Sequence, residues 1–147
     1  MIKEYIMLIP KKTKYRKIQR GTMKGRSKGA RNVLFGEFGL QAVEPTWLSA
    51  QQIEAMRVAL SRKLKKVGQS FLRVFADHPI TKKPAETRQG KGKGPVEKWV
   101  AVVKRERVIC EIAGLPEVEA RDVLKQVSYK LPMKTRFIKK AINDEIN

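Results

Sequence analysis

The sequence predicts an α+β fold in which two helices pack on a mixed, largely antiparallel sheet. Two segments space their apolar residues as helices do, and short runs rich in strand-forming residues surround them. Two long basic segments have neither pattern and are interrupted by glycine. With 147 residues, 41% of them hydrophobic, the chain can form one core. We therefore expect a single domain, 1–147, with a basic arm at 1–31, a core at 32–140 that includes a finger loop at 76–95, and a polar tail at 141–147.

The net charge of +19 predicts a polyanionic partner, and the first basic segment holds more than half of it. Residues 10–31 contain ten cations and no acid, and glycines at every fourth position disfavour a helix. Tyr15, Ile18 and Met23 lie among the cations, which favours an arm that orders on nucleic acid over a solvated tail. The predicted RNA-binding residues of the arm are Lys11, Lys12, Lys14, Tyr15, Arg16, Lys17, Arg20, Lys24, Arg26 and Lys28.

The first strand and the first helix follow the arm. Residues 35–43 predict a strand, with glycines that suggest bulges or tight curvature. Ser49 and Gln52 form a capping box that starts a helix, and Gly68 is expected to end it as a C-cap. The apolar stripe of this helix comprises Ile53, Met56, Leu60, Leu64 and Val67. Its opposite face carries Arg62, Lys65 and Lys66, which are either solvated or face phosphate.

A short strand at 71–75 precedes the second basic segment, 79–94, which prolines and alternating glycines predict to be a loop. Its Gly-Lys alternation does not match a nucleotide-binding loop, because no helix follows. We expect either a finger that lies against phosphates or a solvated hairpin tip, with His78 as a loop residue at its mouth. The finger residues are Lys82, Lys83, Arg88, Gln89, Lys91 and Lys93.

The remaining elements are two strands, a helix and a final strand. Residues 96–104 and 108–113 are predicted to pair as a hairpin through the charged turn 104–107, with Cys110 as a small core or interface residue. Pro116 is expected in the first turn of the second helix, and Pro132 ends it. Residues 135–139 predict the last strand. The buried face of the second helix comprises Ala120, Val123, Leu124, Val127 and Leu131.

The sequence contains no pattern typical of an enzyme. One cysteine and one histidine leave little for metal or triad chemistry, and the acids are scattered among cations. No apolar run approaches the roughly 18 to 20 residues that span a bilayer. We therefore expect no catalytic residue, no metal, no cofactor, no membrane contact and no small-molecule substrate.

Six short motifs follow one another along nearly the whole chain, from Met7 to about Lys139. They are Met7–Lys17, Gly36–Leu40, Gln52–Ala55, Arg73–Phe75, Lys82–Arg88 with Gly90–Gly94, and Trp99–Ala101. In this order and with these gaps, they closely resemble the bacterial and organellar ribosomal protein L16 family.

The resemblance implies a structural RNA-binding protein of the large ribosomal subunit with an α/β hammerhead-like fold. Family members lie on large-subunit ribosomal RNA near the aminoacyl-tRNA site and join late in assembly. By position, Lys11 to Lys17 would lie in ribosomal RNA, and Arg88, Lys91 and Lys93 would be closest to aminoacyl-tRNA near the peptidyl transferase centre. The implied partners are this RNA, this tRNA and neighbouring large-subunit proteins, in the cytoplasm or in an organelle.

The chain departs from the family pattern at three places. The family usually begins at the position of Met7, so residues 1–6 are either an extension or an early start-codon assignment. Gln89 replaces the usual methionine and Ala76 the usual proline, and the turn 104–107 lacks the usual Pro-Gly. On composition alone, a nucleoid-associated DNA-binding protein is the alternative interpretation.

Overall fold

The computed structural model describes residues 9–64, 67–83, 90 and 92–141. Within these residues lie seven strands and two helices, which confirms the predicted α+β class. In chain order the elements are β1 (Phe38–Ala42), β2 (Thr46–Ser49), α1 (Ala50–Leu64), β3 (Gln69–Leu72), β4 (His78–Thr81), β5 (Val96–Val103), β6 (Val108–Ala113), α2 (Glu117–Ser128) and β7 (Thr135–Lys139).

The strands form two antiparallel sheets, whereas the sequence pattern predicted one. The first sheet has the order β3-β6-β1-β7, and the second has the order β2-β5-β4. The predicted hairpin of β5 and β6 is wrong, because the two strands lie in different sheets. β5 pairs with β2 and β4, and β6 pairs with β1 and β3, so each already has a neighbour on both edges.

The turn between β5 and β6 therefore carries the chain from one sheet to the other. The Arg107 N–H donates to the Lys104 carbonyl at 3.3 Å, and the Glu106 N–H donates to the Ala42 carbonyl at 2.8 Å. The backbone φ of Glu106 is +69°, a value that residues other than glycine rarely adopt. The turn lacks the usual glycine, and hydrogen bonds to β1, which is remote in sequence, stabilise its conformation instead.

Two short strands, β2 and β4, were not predicted. Each has four residues, and prolines stand at or beside their ends. β4 occupies the edge of its sheet, where a proline such as Pro79 is tolerated because its missing N–H need not face a partner. The predicted loop 79–94 therefore begins later, after Thr81. His78 is correspondingly a half-buried strand residue, and its ring centroid lies 6.4 Å from that of Trp47.

Helix α1 begins with the predicted capping box. The Ser49 N–H donates to Gln52 Oε1 at 3.0 Å, and the Gln52 N–H donates to Ser49 Oγ at 3.2 Å. Four of the five predicted stripe residues are buried, from Ile53 to Leu64. The prediction that Val67 belongs to the buried stripe is wrong, because the helix ends at Leu64 and Val67 is 74% exposed.

Three glycines near β1 and α1 allow other parts of the chain to approach the backbone closely. The Gly68 N–H donates to the Leu64 carbonyl at 3.4 Å, but α1 ends at Leu64 and Gly68 does not have a positive φ, so Gly68 is not the predicted C-cap. A Cβ there would lie 2.8 Å from Leu64 Cδ2. Gly36 and Gly39 approach β6, and the only irregularity in the pairing of β1 with β6 falls between Leu40 and Gln41.

Helix α2 buries the predicted Ala120, Leu124 and Val127, while Val123 and Leu131 are only half-buried. Pro116 is its N-cap, with φ −60° and ψ 155°, and does not belong to the first turn. Both helices pack against the core, which includes Cys110 as predicted. Burial raises the pKa of the Cys110 thiol to about 12, as expected of an inert core residue.

Candidate nucleic-acid interface

The end of the arm is fixed to the core. The Ser27 N–H donates to the Arg105 carbonyl at 2.9 Å, and the Val108 N–H donates to the Ala30 carbonyl at 2.6 Å. Arg26 pairs with Arg105 as an isolated parallel bridge. The arm therefore leaves the core beside the turn that joins the two sheets, which fixes the direction of the preceding basic residues.

Only two of the arm's cations contact an acid among the residues the structure describes. Arg26 Nε lies 3.3 Å and Arg31 Nη1 lies 3.8 Å from the carboxylate of Glu106. These exposed pairs contribute little to stability. The eight predicted cations that remain are exposed and have no acidic partner within the described ranges: Lys11, Lys12, Lys14, Arg16, Lys17, Arg20, Lys24 and Lys28. Their charges are available to an external anion.

Two aromatic side chains lie among these cations. Arg20 stacks over the Trp47 ring, with 5.4 Å from its guanidinium carbon to the centroid, and so holds the arm against β2. Lys14 Nζ lies 5.6 Å from the Tyr15 centroid, and Tyr15 is 67% exposed. Tyr15 thus presents an aromatic surface of the kind on which unpaired bases stack.

The structure brings the arm and the finger together, although the sequence suggested two separate contacts. Lys17 Nζ donates to the Lys93 carbonyl at 2.9 Å, and Lys93 Nζ donates to the Ile18 carbonyl at 2.7 Å. Both side chains are exposed. The arm and the described base of the finger therefore form one cationic surface.

The described part of the finger is the base of a β4–β5 hairpin. The Lys82 N–H donates to the Pro95 carbonyl at 3.2 Å, and Lys83 Nζ donates to the Gly90 carbonyl at 2.6 Å. A Cβ on Gly94 would lie 2.7 Å from the Lys82 carbonyl carbon, so this crossing requires glycine. Lys82 Nζ lies 4.0 Å from the exposed Glu97 carboxylate and keeps its charge at the surface.

The other predicted site residues are distributed as follows. Arg62 is exposed on α1, where it lines a shallow groove with Lys130. It lies on the opposite side of the helix from the buried stripe, as predicted. The residues Lys65, Lys66, Arg88, Gln89 and Lys91 lie outside the described residues.

Sequence reasoning missed the role of Glu111, which anchors the segment that leads out of the arm. Its fully buried carboxylate accepts the N–H groups of Leu34, Phe35 and Gly36 at 3.1, 2.7 and 2.9 Å. Arg73 Nη1 lies 2.6 Å away. Burial alone would raise the pKa of Glu111, but these donors hold it below its usual value. The sequence signal that could have indicated this role is that Glu111 is the one charged residue in the otherwise apolar strand β6.

Within the described ranges, no three His, Cys, Asp or Glu residues are grouped so that they could hold a metal ion. In the same residues, neither helix has the length and apolar character needed to cross a membrane.

The geometry defines a class of protein: a small basic α+β protein whose arm and hairpin base form one cationic surface. Residues 10–138 match the family described as ribosomal protein L16p/L10e. The chain is 51% identical over 134 residues to the large ribosomal subunit protein uL16 of Heliobacterium modesticaldum, with 91% of this chain and 93% of the relative covered. The proteins of the same name from Thermus thermophilus and Pseudothermotoga lettingae are 52% and 53% identical, over 139 and 135 residues.

These two alignments cover 95% and 92% of this chain and 99% and 95% of the relatives. The chain belongs to the ribosomal protein L16p/L10e family. This membership confirms the resemblance and the prediction that the protein is a structural component and not an enzyme.

Proposed function

We propose that this protein is a structural constituent of the large ribosomal subunit that binds large-subunit ribosomal RNA through its arm and hairpin base. The finger helps to position aminoacyl-tRNA near the peptidyl transferase centre. The protein contacts neighbouring large-subunit proteins and supports late assembly in the cytoplasm. Support comes from relatives named as large ribosomal subunit proteins, which match nearly the whole chain.

The observation that carries the RNA-binding part is the unpaired charge of the arm. Eight exposed cations have no acidic partner in the described parts of the chain, while the C-terminal end of the arm is held to the core. Such charges repel one another in the free protein and are neutralised by phosphates. Binding releases counterions from the RNA, so it depends steeply on salt concentration.

The link between Lys17 and Lys93 supports a shared task for the arm and the finger. Their reciprocal hydrogen bonds join the arm to the hairpin base at 2.9 and 2.7 Å. An arm held in ribosomal RNA would therefore restrict the direction in which the finger leaves the core. This coupling suits a protein that positions tRNA relative to ribosomal RNA.

The double variant Lys11→Gln/Lys12→Gln tests RNA binding by the arm. We expect the slope of log affinity against log salt to fall by about 1.4, since each phosphate contact on single strands contributes about 0.7. Affinity is measured by sedimentation of the purified protein with large subunits that lack it. The control variant Lys125→Gln/Lys134→Gln removes two exposed charges outside the arm.

Equal slopes for the two double variants would contradict a role of the arm in binding RNA. Sedimentation of the wild-type protein from cell extracts also separates the alternatives. Recovery with large subunits at moderate salt supports the proposal, whereas recovery with chromosomal DNA supports a nucleoid protein.

A further inference from the structure

A cleft of about 890 Å³ opens where the two sheets diverge. One wall is the segment 72–77, which joins β3 to β4, and the other is the end of β5 with Arg107. Residues 27–29 of the arm and Phe35 also line it. Its volume lies within the range of about 300 to 1,000 Å³ that is typical of small-molecule and cofactor sites.

The cleft carries an excess of positive charge. Lys28, Lys104 and Arg107 line it, and none of them has an acidic partner in the part of the chain that the structure describes. Asp77 is the one acid in the lining, and it is exposed. Arg73 also lines the cleft, but the Glu111 carboxylate, 2.6 Å away, already neutralises it.

Arg107 has unused hydrogen-bonding capacity in this cleft. Its Nη2 donates to the Arg73 carbonyl at 3.1 Å, while its Nε is buried without a partner among the described residues. Because that Nε has almost no accessible surface, the capacity to bind an anion in the cleft lies with the outer Nη groups. The guanidinium is therefore oriented by the protein and is still able to bind an anion.

Two aromatic rings stand in the same lining. Phe75 is 43% exposed and Phe35 is 63% exposed, so both rings are accessible from the cleft. The guanidinium carbon of Arg73 lies 5.0 Å from the Phe35 centroid, so one face of that ring is covered. Phe75 has no aromatic or cationic side chain stacked on it in the described residues.

We infer that this cleft binds a nucleotide turned out of the ribosomal RNA stack, with its base on Phe75 and its phosphate on Lys104, Arg107 and Lys28. Proteins recognise unpaired RNA bases by stacking them on aromatic side chains beside cations. Three unpaired cations against one acid favour RNA over a protein segment. The inference rests on the proposed function and adds a base-binding site centred on Phe75, to which the C-terminal end of the arm contributes Lys28.

Ultraviolet cross-linking within assembled large subunits provides a direct test. Trypsin cleaves after Arg73 and Lys82, so Phe75 lies in one peptide, Val74–Lys82. We expect this peptide to carry a nucleotide adduct in the mass spectrum. Phe75→Tyr should keep the adduct because tyrosine also stacks, and Phe75→Leu should lose it.

Binding to large subunits that lack the protein gives a second readout. Phe75→Leu should weaken affinity by about fivefold or more, because base stacking on an aromatic side chain makes a contribution of this order. Tyr129→Leu is the matched control, since Tyr129 is a 72% exposed aromatic residue at the end of α2. Equal melting temperatures of the variants would show that the fold is retained.

The possible outcomes separate this inference from the proposed function. Nucleotide adducts only in residues 11–26, with equal affinity for Phe75→Leu and Tyr129→Leu, would overturn the cleft and leave the proposed function standing. A cross-link from Phe75 to a protein would also overturn the inference. Failure of the wild-type protein to join the subunit would overturn both.

Discussion

Glu111 shows how one residue connects the core with the arm. Its carboxylate has no exposed surface, and it satisfies three backbone N–H groups of residues 34–36 as well as Arg73. Without this acceptor, those N–H groups would lose their partner, and that of Gly36 would be left unpaired in a buried position. The segment after the arm is therefore held by these polar contacts as well as by the buried side chain of Val33.

We predict that Glu111→Gln destabilises the protein at neutral pH by about 2 to 4 kcal/mol, because it leaves Arg73 without its charge partner. Urea unfolding of the purified chain measures the change. The wild-type protein should also lose stability as the pH falls below about 4.3, which is the usual pKa of a glutamate in an unfolded chain. The reason is that the pKa of Glu111 in the folded protein is lower than this value, so folding favours the ionised carboxylate.

The Glu111→Gln variant should lack that part of the acid dependence, because its amide does not titrate in this range. Glu117→Gln is the control, since Glu117 forms exposed pairs with Arg121 and Lys139. A similar free energy of unfolding for both variants would argue against the anchoring role of Glu111.

At the scale of elements, local signals worked where the partners are close in sequence. The capping box of α1 and the buried face of α2 depend on residues three or four positions apart. By contrast, β6 pairs with β1 and β3, and β5 pairs with β2 and β4, and most of these partners are remote in sequence. The hairpin prediction was wrong for that reason, and the short β2 and β4 had too few residues to show a pattern.

The capping box leads to a prediction about α1. Ser49→Ala should lower the free energy of unfolding by about 1 kcal/mol, because the Gln52 N–H loses its acceptor. Thermal or urea unfolding measures this loss. Ser61→Ala is the control, since Ser61 is exposed within the same helix. If both substitutions have the same effect, the cap does not contribute beyond helix propensity.

At the scale of the whole molecule, the arm and the described base of the finger form a single cationic surface. The arm is directed by its attachment beside the turn 104–107 and is joined to the hairpin base through Lys17 and Lys93. In the proposed function, ribosomal RNA neutralises this surface, and the finger helps to position the tRNA.

The variant Arg88→Ala/Lys91→Ala tests the finger. Folding should be unchanged, because glycines and prolines set this loop apart from the core. Aminoacyl-tRNA accommodation in ribosomes that carry the variant should slow by about tenfold or more, since losing even one hydrogen bond to a charged group costs about 1.5 to 3 kcal/mol. Rapid kinetics with labelled tRNA measure it, with Lys125→Ala/Lys134→Ala as the control. A normal rate of aminoacyl-tRNA accommodation would contradict the proposed role of the finger.

The sequence by itself determined the α+β class, the helices, the core position of Cys110, the family and the basic character of the arm. These properties follow from composition, periodicity and motifs, which are read along the chain. The tertiary structure decided the division into two sheets, the burial of Glu111, the junction of Lys17 with Lys93 and the cleft beside Phe75. Each of these depends on residues far apart in sequence, whose contacts are set only when the whole core packs.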